Sequence, residues 1–389
     1  MLGAFAVLMV SLWALPAAAT DAGGQEPSGD AIYRALASEG LLVDYMPEAV
    51  SGIVGSLVNA AGGRWSGFGV NRPYREGWVN VYLVDAKRME QGSPIPVVER
   101  ALQGGSLVGN AFAHEPSDTI LVDVDLFRSL VTAALLLSQR GVDTMRAAAQ
   151  IEAHGVDAYR DLWDPQRNPS LANAGYGDDW VIYASGAAAF VLAHEMGHLA
   201  LGANPKMRRR PEQFTYSDED RDILWACTDL LDASYRRQRE IEAKADDVAV
   251  DLLSRVNFPP GTLDRPMLRF ELGARWYTIY GSAKHMVRAL TATESPNIQA
   301  MLRRQFGDDV FETLAARKQA PGEGSVRVFF PETHPAHVQR AARSLSRLAD
   351  SPRSVYAGSR PGVEGSVAML EQMLDEECAR VAEERESRR

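Results

Sequence analysis

His194 and His198 lie at the end of an apolar run that predicts a helix over residues 180–201. Residues four positions apart share one face of a helix, so the two imidazoles can bind the same metal ion. Neutral imidazoles are zinc ligands, and Glu195 between them can accept a proton from water held by the metal. This HExxH spacing therefore predicts a zinc site with a general base. The alternative is two structural histidines beside an exposed glutamate.

A catalytic zinc ion needs a third protein ligand and an open position for water. The next long helix, predicted over residues 218–256, carries Glu242 and, one turn later, Asp246. Glu242 is the best candidate for the third ligand, and Glu240 is a weaker competitor. Histidines that bind zinc usually donate their second N–H to a carboxylate, which is the role expected for Asp246. Alanines around these acids predict that this helix packs tightly against the HExxH helix.

A third histidine, His334, lies in Thr333-His334-Pro335 and is followed by Arg340. A histidine that precedes proline is most often a turn residue. At this position it can also donate a hydrogen bond to the oxyanion that forms when a peptide carbonyl is attacked.

The order of predicted elements indicates an α+β protein, with a small sheet laid against a mainly helical body. Helices are expected over residues 30–61, with Asp30 as a cap, and over residues 126–139, 143–163 and 297–318. Strands are expected over residues 65–70, 78–84, 107–113 and 119–124, the first two in a hairpin or a small sheet. These elements belong to one domain over residues 30–350, with a linker at residues 20–29 before it.

Two segments are expected to lie outside the body of this domain. A helical insertion at about residues 139–179 is expected to cover the site and to gate access to it. Residues 351–389 are expected to form a loop and a charged helix, which offers a surface for a protein partner.

The 389-residue chain has 41 basic and 51 acidic side chains, for a formal net charge of −10. Affinity for phosphate requires clustered Lys and Arg, so this balance argues against a nucleic-acid-binding protein. The only basic cluster, at residues 206–210, is interpreted as solvated loop charge.

Residues 1–20 carry no charged side chain, and their apolar run ends in Pro16-Ala17-Ala18-Ala19. This pattern predicts a signal peptide over residues 1–19 that is cleaved after Ala19, and a periplasmic or secreted protein without stable membrane insertion. An uncleaved N-terminal anchor is the alternative, because the span is just long enough to cross a bilayer. Cys227 and Cys378 either form a disulfide in that oxidising setting or remain as thiols.

Three motifs follow one another in this chain: HExxH on a helix, ExxxD on a following helix, and THPxxxxR. In this order they resemble the gluzincin metallopeptidases of the CAAX prenyl protease and HtpX type, including their soluble periplasmic relatives. The segment Asn110-Ala111-Phe112-Ala113 resembles the NAFA element of that family, and the resemblance spans residues 78–348. One departure is His114-Glu115-Pro116, where the family usually has a glycine-bearing turn.

The resemblance implies a zincin-like fold with one zinc ion per chain, bound by His194, His198 and Glu242. It also implies that Glu195 is the general base, that Asp246 orients a ligand, that His334 stabilises the transition state and that Arg340 supports the site. An edge strand formed by Asn110, Ala111, Phe112 and Ala113 would border the cleft and hold an extended substrate backbone.

The implied function is a zinc-dependent endopeptidase that hydrolyses peptide bonds in extended or unfolded polypeptides. The alternative is a zinc-stabilised chaperone-like or envelope-assembly binding protein with latent or little proteolytic activity.

Overall fold

The computed structural model describes residues 26–102, 106–139, 141–171, 178–201, 233–256, 276–277, 280–281, 283–284, 287 and 296–318. Several predicted features lie outside the described residues: the signal peptide, Cys227, Cys378, His334, Arg340 and residues 351–389. The structure does not describe the side chain of Glu240 either.

The described chain is mostly helical and contains a four-stranded sheet, which confirms the predicted α+β class. The helices are α1 (Gly29–Ser38), α2 (Pro47–Ala60), α3 (Ala86–Gln91), α4 (Pro96–Leu102), α5 (Val124–Leu137), α6 (Thr144–His154), α7 (Arg160–Trp163), α8 (Asp179–Leu201), α9 (Ala233–Arg255), α10 (Pro296–Phe306) and α11 (Asp308–Lys318). The strands are β1 (Gly67–Val70), β2 (Trp78–Val84), β3 (Ala111–His114) and β4 (Thr119–Asp123).

The sheet has the strand order β1-β2-β4-β3, with β1, β2 and β4 parallel and β3 antiparallel to β4. Of the two alternatives for the first two strands, the hairpin is wrong and the small sheet is correct. Asn71, at a left-handed φ of 49°, turns the chain after β1, and its side-chain oxygen accepts a hydrogen bond from Leu83 N at 2.9 Å. The chain then returns to the end of the sheet at which β1 begins, and β2 starts there, so both strands run in the same direction.

Side chains alternate between the two faces of the sheet, as the period of a strand requires. One face joins the main core together with α2, α5 and α8, through Val79, Val81, Leu83, Ala111, Ala113, Ile120 and Val122. The other face joins a smaller core with α1, α3 and α4, through Tyr82, Val84, Leu121 and the partly buried Phe112. The face of β3 on the α8 side therefore presents two alanines, and Phe112 lies on the opposite face.

Helix α8 passes through the main core. Every residue from 186 to 199 is buried, and α8 contacts α2, α5, α9, β3 and β4. A helix that is surrounded in this way must be apolar on all sides, which explains the apolar run before His194. In the described part of the chain, no helix is apolar over a length that would cross a membrane.

The segment at residues 139–179 contributes to the main core. Helix α6 packs against α5 and α11, and buries Ala147, Ala148, Ala149, Ile151 and Ala153. Trp163 in α7 is also buried, and Tyr45 donates a hydrogen bond from its hydroxyl to the Trp163 carbonyl at 3.2 Å. Helix α6 is therefore a core element, and the gating role expected for the segment of residues 139–179 stays a prediction.

The predicted bounds are wrong where glycine or a small cap decides them. Ser28, rather than Asp30, caps α1 by accepting a hydrogen bond from Ala31 N. The helix predicted over residues 143–163 ends at Gly155, whose φ is 76°, and the helix predicted over 297–318 is divided at Gly307, whose φ is 95°. Helices α3 and α4, of six and seven residues, are too short to show a helical period in the sequence.

Replacing Ile151 by Ala tests the position of α6 in the core. The side chain is 5% exposed, so the change is expected to lower the free energy of unfolding by about 2–5 kcal/mol. Gln166→Ala, at an exposed position in the same segment, is the control and should change it by less than about 0.5 kcal/mol. Urea unfolding measures both, and an Ile151→Ala effect as small as that of the control would contradict this assignment.

Candidate metal centre

Two packed helices position the candidate site. Helix α8 carries His194 and His198 one turn apart, with ring centroids 4.8 Å apart and ring planes at 88°. Helix α9 lies against α8 and carries Glu242 and Asp246, also one turn apart. All four side chains are buried. Ala245 and Ala249 are fully buried as well, and their small side chains allow α9 to lie close to α8. The predicted tight contact between these helices is confirmed.

Three ligand atoms converge between the helices. His194 Nε2 and His198 Nε2 are 3.2 Å apart, and each lies 3.2 Å from Glu242 Oε2. The three atoms thus form a nearly equilateral triangle in the protein interior. His194, His198 and Glu242 together can hold a metal ion.

Asp246 fixes the orientation of the first imidazole. Its Oδ1 atom lies 2.8 Å from His194 Nδ1. An ionised carboxylate only accepts hydrogen bonds, so Nδ1 carries the proton and donates it to Asp246. In the neutral ring, Nε2 then presents its lone pair to the triangle.

The acceptor atoms of the triangle favour a positive charge between them. Glu242 Oε2 and the neutral His194 Nε2 are both acceptors, so their contact at 3.2 Å is repulsive unless a cation lies between them. A linear hydrogen bond joins only two of the three atoms, whereas a metal ion can bind all three. The equal separations therefore fit a metal ion better than a hydrogen-bonded pair.

Glu195 follows the first ligand on α8 and is 7% exposed. In the described part of the chain, its carboxylate makes no hydrogen bond or ion pair. A carboxylate in this position, next to a metal-binding group, is available to accept a proton from a ligand. The alternative of an exposed glutamate beside structural histidines does not match this burial.

The segment predicted to hold substrate contains β3, which comes after β4 in the order of the described sheet. Strand β3 also contacts α8. Ala111, Phe112 and Ala113 belong to β3, whereas Asn110 precedes it in a turn closed by a hydrogen bond from Asn110 N to Leu107 O at 2.9 Å. Asp123 anchors this turn by accepting a hydrogen bond from Gly109 N at 2.5 Å. Burial raises the pKa of the Asp123 carboxyl, although nearby backbone N–H groups oppose the rise.

Arg64 is a supporting residue that the sequence did not indicate. Its Nη2 atom donates a hydrogen bond to the Leu199 carbonyl at 3.0 Å, beside His198 in the last turns of α8. A cation at the C-terminal end of a helix satisfies carbonyls that have no partner within the helix. The two residues are 135 positions apart in the chain, so no local pattern connects them.

Comparison with protein-family models, with curated proteins and with solved structures found no match to this chain. The geometry of the site is therefore the basis for assigning a function. It brings together His194, His198, Glu242 and Asp246, with Glu195 buried on the same helix. His334 and Arg340 lie outside the described residues, so their predicted roles stay predictions.

Asp246→Asn is expected to weaken metal binding by about 10- to 100-fold, the usual effect of changing a partner that orients a histidine ligand. The amide keeps the shape of the side chain but removes the charge that favours proton donation from His194 Nδ1. Competition with a chromophoric chelator measures the affinity. Asp247→Asn on the same helix is the control, because consecutive helical residues point about 100° apart. Equal affinities for Asp246→Asn and the unmodified chain would contradict the orienting role.

Proposed function

We propose that this chain is a zinc-dependent endopeptidase. The observation that carries the proposal is the buried group of His194, His198 and Glu242, with Glu195 next to the first ligand. Two histidines and one glutamate are a ligand set of catalytic zinc sites, which keep a fourth position open.

The separations in the group support zinc as the metal. Ligand atoms placed about 2.0–2.1 Å from a tetrahedral zinc ion lie about 3.3–3.4 Å from one another. The three separations between the ligand atoms here are each 3.2 Å. The group thus needs little movement to accept the ion.

Zinc, when bound, supplies Lewis-acid chemistry that polarises a peptide carbonyl and makes water easier to deprotonate. Glu195 accepts the proton of the attacking water through a carboxylate oxygen. The water oxygen bonds to the carbonyl carbon, the C–N bond breaks, and Glu195 returns the proton to the leaving nitrogen. By the family resemblance, His334 donates a hydrogen bond to the oxygen that becomes negative in the transition state.

The substrate we propose is an extended or unfolded polypeptide. The family resemblance implies that Asn110 to Ala113 bind the substrate backbone, and such recognition would select an extended chain rather than a particular side chain. The two alanines on the α8 side of β3 let the backbone of β3 lie close to the metal-bearing helix.

Removal and return of the metal test this proposal. Dialysis against a strong chelator is expected to abolish cleavage of a casein-like unfolded substrate, and one equivalent of zinc should restore it. Magnesium is the control ion, since it prefers oxygen ligands and should not restore activity. Cleavage that persists in chelator, with zinc absent by elemental analysis, would contradict the proposal.

A further inference from the structure

Helices α8 and α9 lie close together at Gly197. A Cβ atom at this position would lie 2.7 Å from the Ala245 carbonyl oxygen, 3.0 Å from Ala245 Cα and 3.2 Å from Ala245 C. All three atoms belong to the backbone of α9, so no side-chain rotation can relieve the overlap. Any side chain at this position would require one of the helices to move.

This contact lies among the metal-binding residues. Gly197 is three positions after His194 and directly before His198, and Ala245 is three positions after Glu242 and directly before Asp246. Residues three apart are neighbours on a helix surface. A close backbone approach of the two helices therefore lies beside the point at which their ligand atoms meet.

The ligand separations depend on that approach. The 3.2 Å separations from Glu242 Oε2 to the two imidazoles, and the 2.8 Å separation between Asp246 and His194, all join α8 to α9. A shift of a few tenths of an ångström is large for zinc, whose bonds to nitrogen and oxygen fall within about 2.0–2.2 Å. Close-packed helices accommodate an added methyl group by such shifts.

We infer that Gly197 is a positioning residue for the metal site: its missing side chain sets the helix separation at which Glu242 reaches both imidazoles. The inference rests on the metal-binding part of the proposed function, but not on peptidase activity. Gly197 touches neither the metal nor a substrate, and acts through the backbone of α9.

The test compares Gly197→Ala with Gly52→Ala in the full chain. Both add one methyl group to a helical glycine, but a Cβ at Gly52 in α2 would have no heavy atom within 4 Å. Zinc affinity is measured by chelator competition, cobalt binding by visible absorption, and helical content by circular dichroism. A change that affected only stability would lower the melting temperature without altering the cobalt spectrum of the folded protein.

For Gly197→Ala we expect zinc affinity to fall by about 10- to 100-fold at unchanged helical content. We also expect weaker visible absorption of the cobalt form, because a displaced Glu242 leaves room for additional water to bind, which raises the coordination number. Gly52→Ala should match the unmodified chain. Unchanged affinity and spectrum in Gly197→Ala would overturn the positioning role, and failure of the unmodified chain to bind zinc would overturn the proposed function as well.

If Gly197→Ala loses helical content in buffer, the titrations are repeated in an osmolyte that favours compact states. A folded variant with weakened zinc binding under those conditions supports the inference. If Gly197→Ala fails to fold even in the osmolyte, Gly197 is required for folding, and the inference that it positions the metal site is overturned.

Discussion

Glu195→Gln is expected to lower the rate of peptide-bond cleavage by about 100- to 10,000-fold, the usual contribution of a general base. The amide has nearly the same shape as the carboxylate but cannot accept a proton from water at neutral pH. Because Glu195 lies outside the triangle of His194, His198 and Glu242, the variant should bind one zinc ion as tightly as the unmodified chain. Steady-state cleavage of a fluorogenic unfolded substrate and elemental analysis measure the two effects.

Glu99→Gln is the control for this experiment, because Glu99 is an exposed glutamate of α4 on the far side of the sheet from α8. It should alter neither cleavage nor zinc content. Undiminished cleavage by Glu195→Gln would refute the role of Glu195. An unmodified chain that binds zinc and captures unfolded polypeptides but never cleaves them would favour the alternative, a zinc-stabilised binding protein.

Glu242→Ala is expected to cost more zinc affinity than any other single change to α9. It removes one of three ligand atoms, whereas Asp246→Asn only alters the partner of a ligand. The loss of zinc affinity should therefore be larger than the loss of about 10- to 100-fold that is typical when the partner of a ligand is changed. Chelator competition measures the affinity, and cleavage at fixed low zinc should fall in parallel.

Lys244→Ala is the matched control for Glu242→Ala, since Lys244 is exposed on the same helix two positions away. Its zinc affinity should equal that of the unmodified chain. Full zinc occupancy in Glu242→Ala would contradict the ligand assignment. Glu240 would then be the next residue to replace, because it was the competing candidate in the sequence.

The parts of the site that repeat at helical spacing were predictable from the sequence. His194 and His198, and likewise Glu242 and Asp246, are four positions apart, and a helix places such residues on one face whatever surrounds them. The apolar run before His194 likewise predicted the helix itself, over residues 180–201.

The features that depend on contacts between distant segments were not predictable in this way. Arg64 reaches α8 from a position 135 residues earlier, and Gly197 matters because the backbone of Ala245 lies against it. The direction of β1 relative to β2 was likewise left open, since alternation along a strand does not encode whether its neighbour is parallel. The packing of α6 in the main core was also not predictable, because its helical pattern fixes a conformation but does not identify the surface that it buries.

Diffraction data collected on both sides of the zinc absorption edge would locate the metal ion relative to His194, His198 and Glu242. Crystals of the zinc-loaded chain should show one strong anomalous peak per chain, about 2.0–2.2 Å from His194 Nε2, His198 Nε2 and a carboxylate oxygen of Glu242. A peak elsewhere, or no peak between these three side chains in protein that contains one equivalent of zinc, would contradict the account.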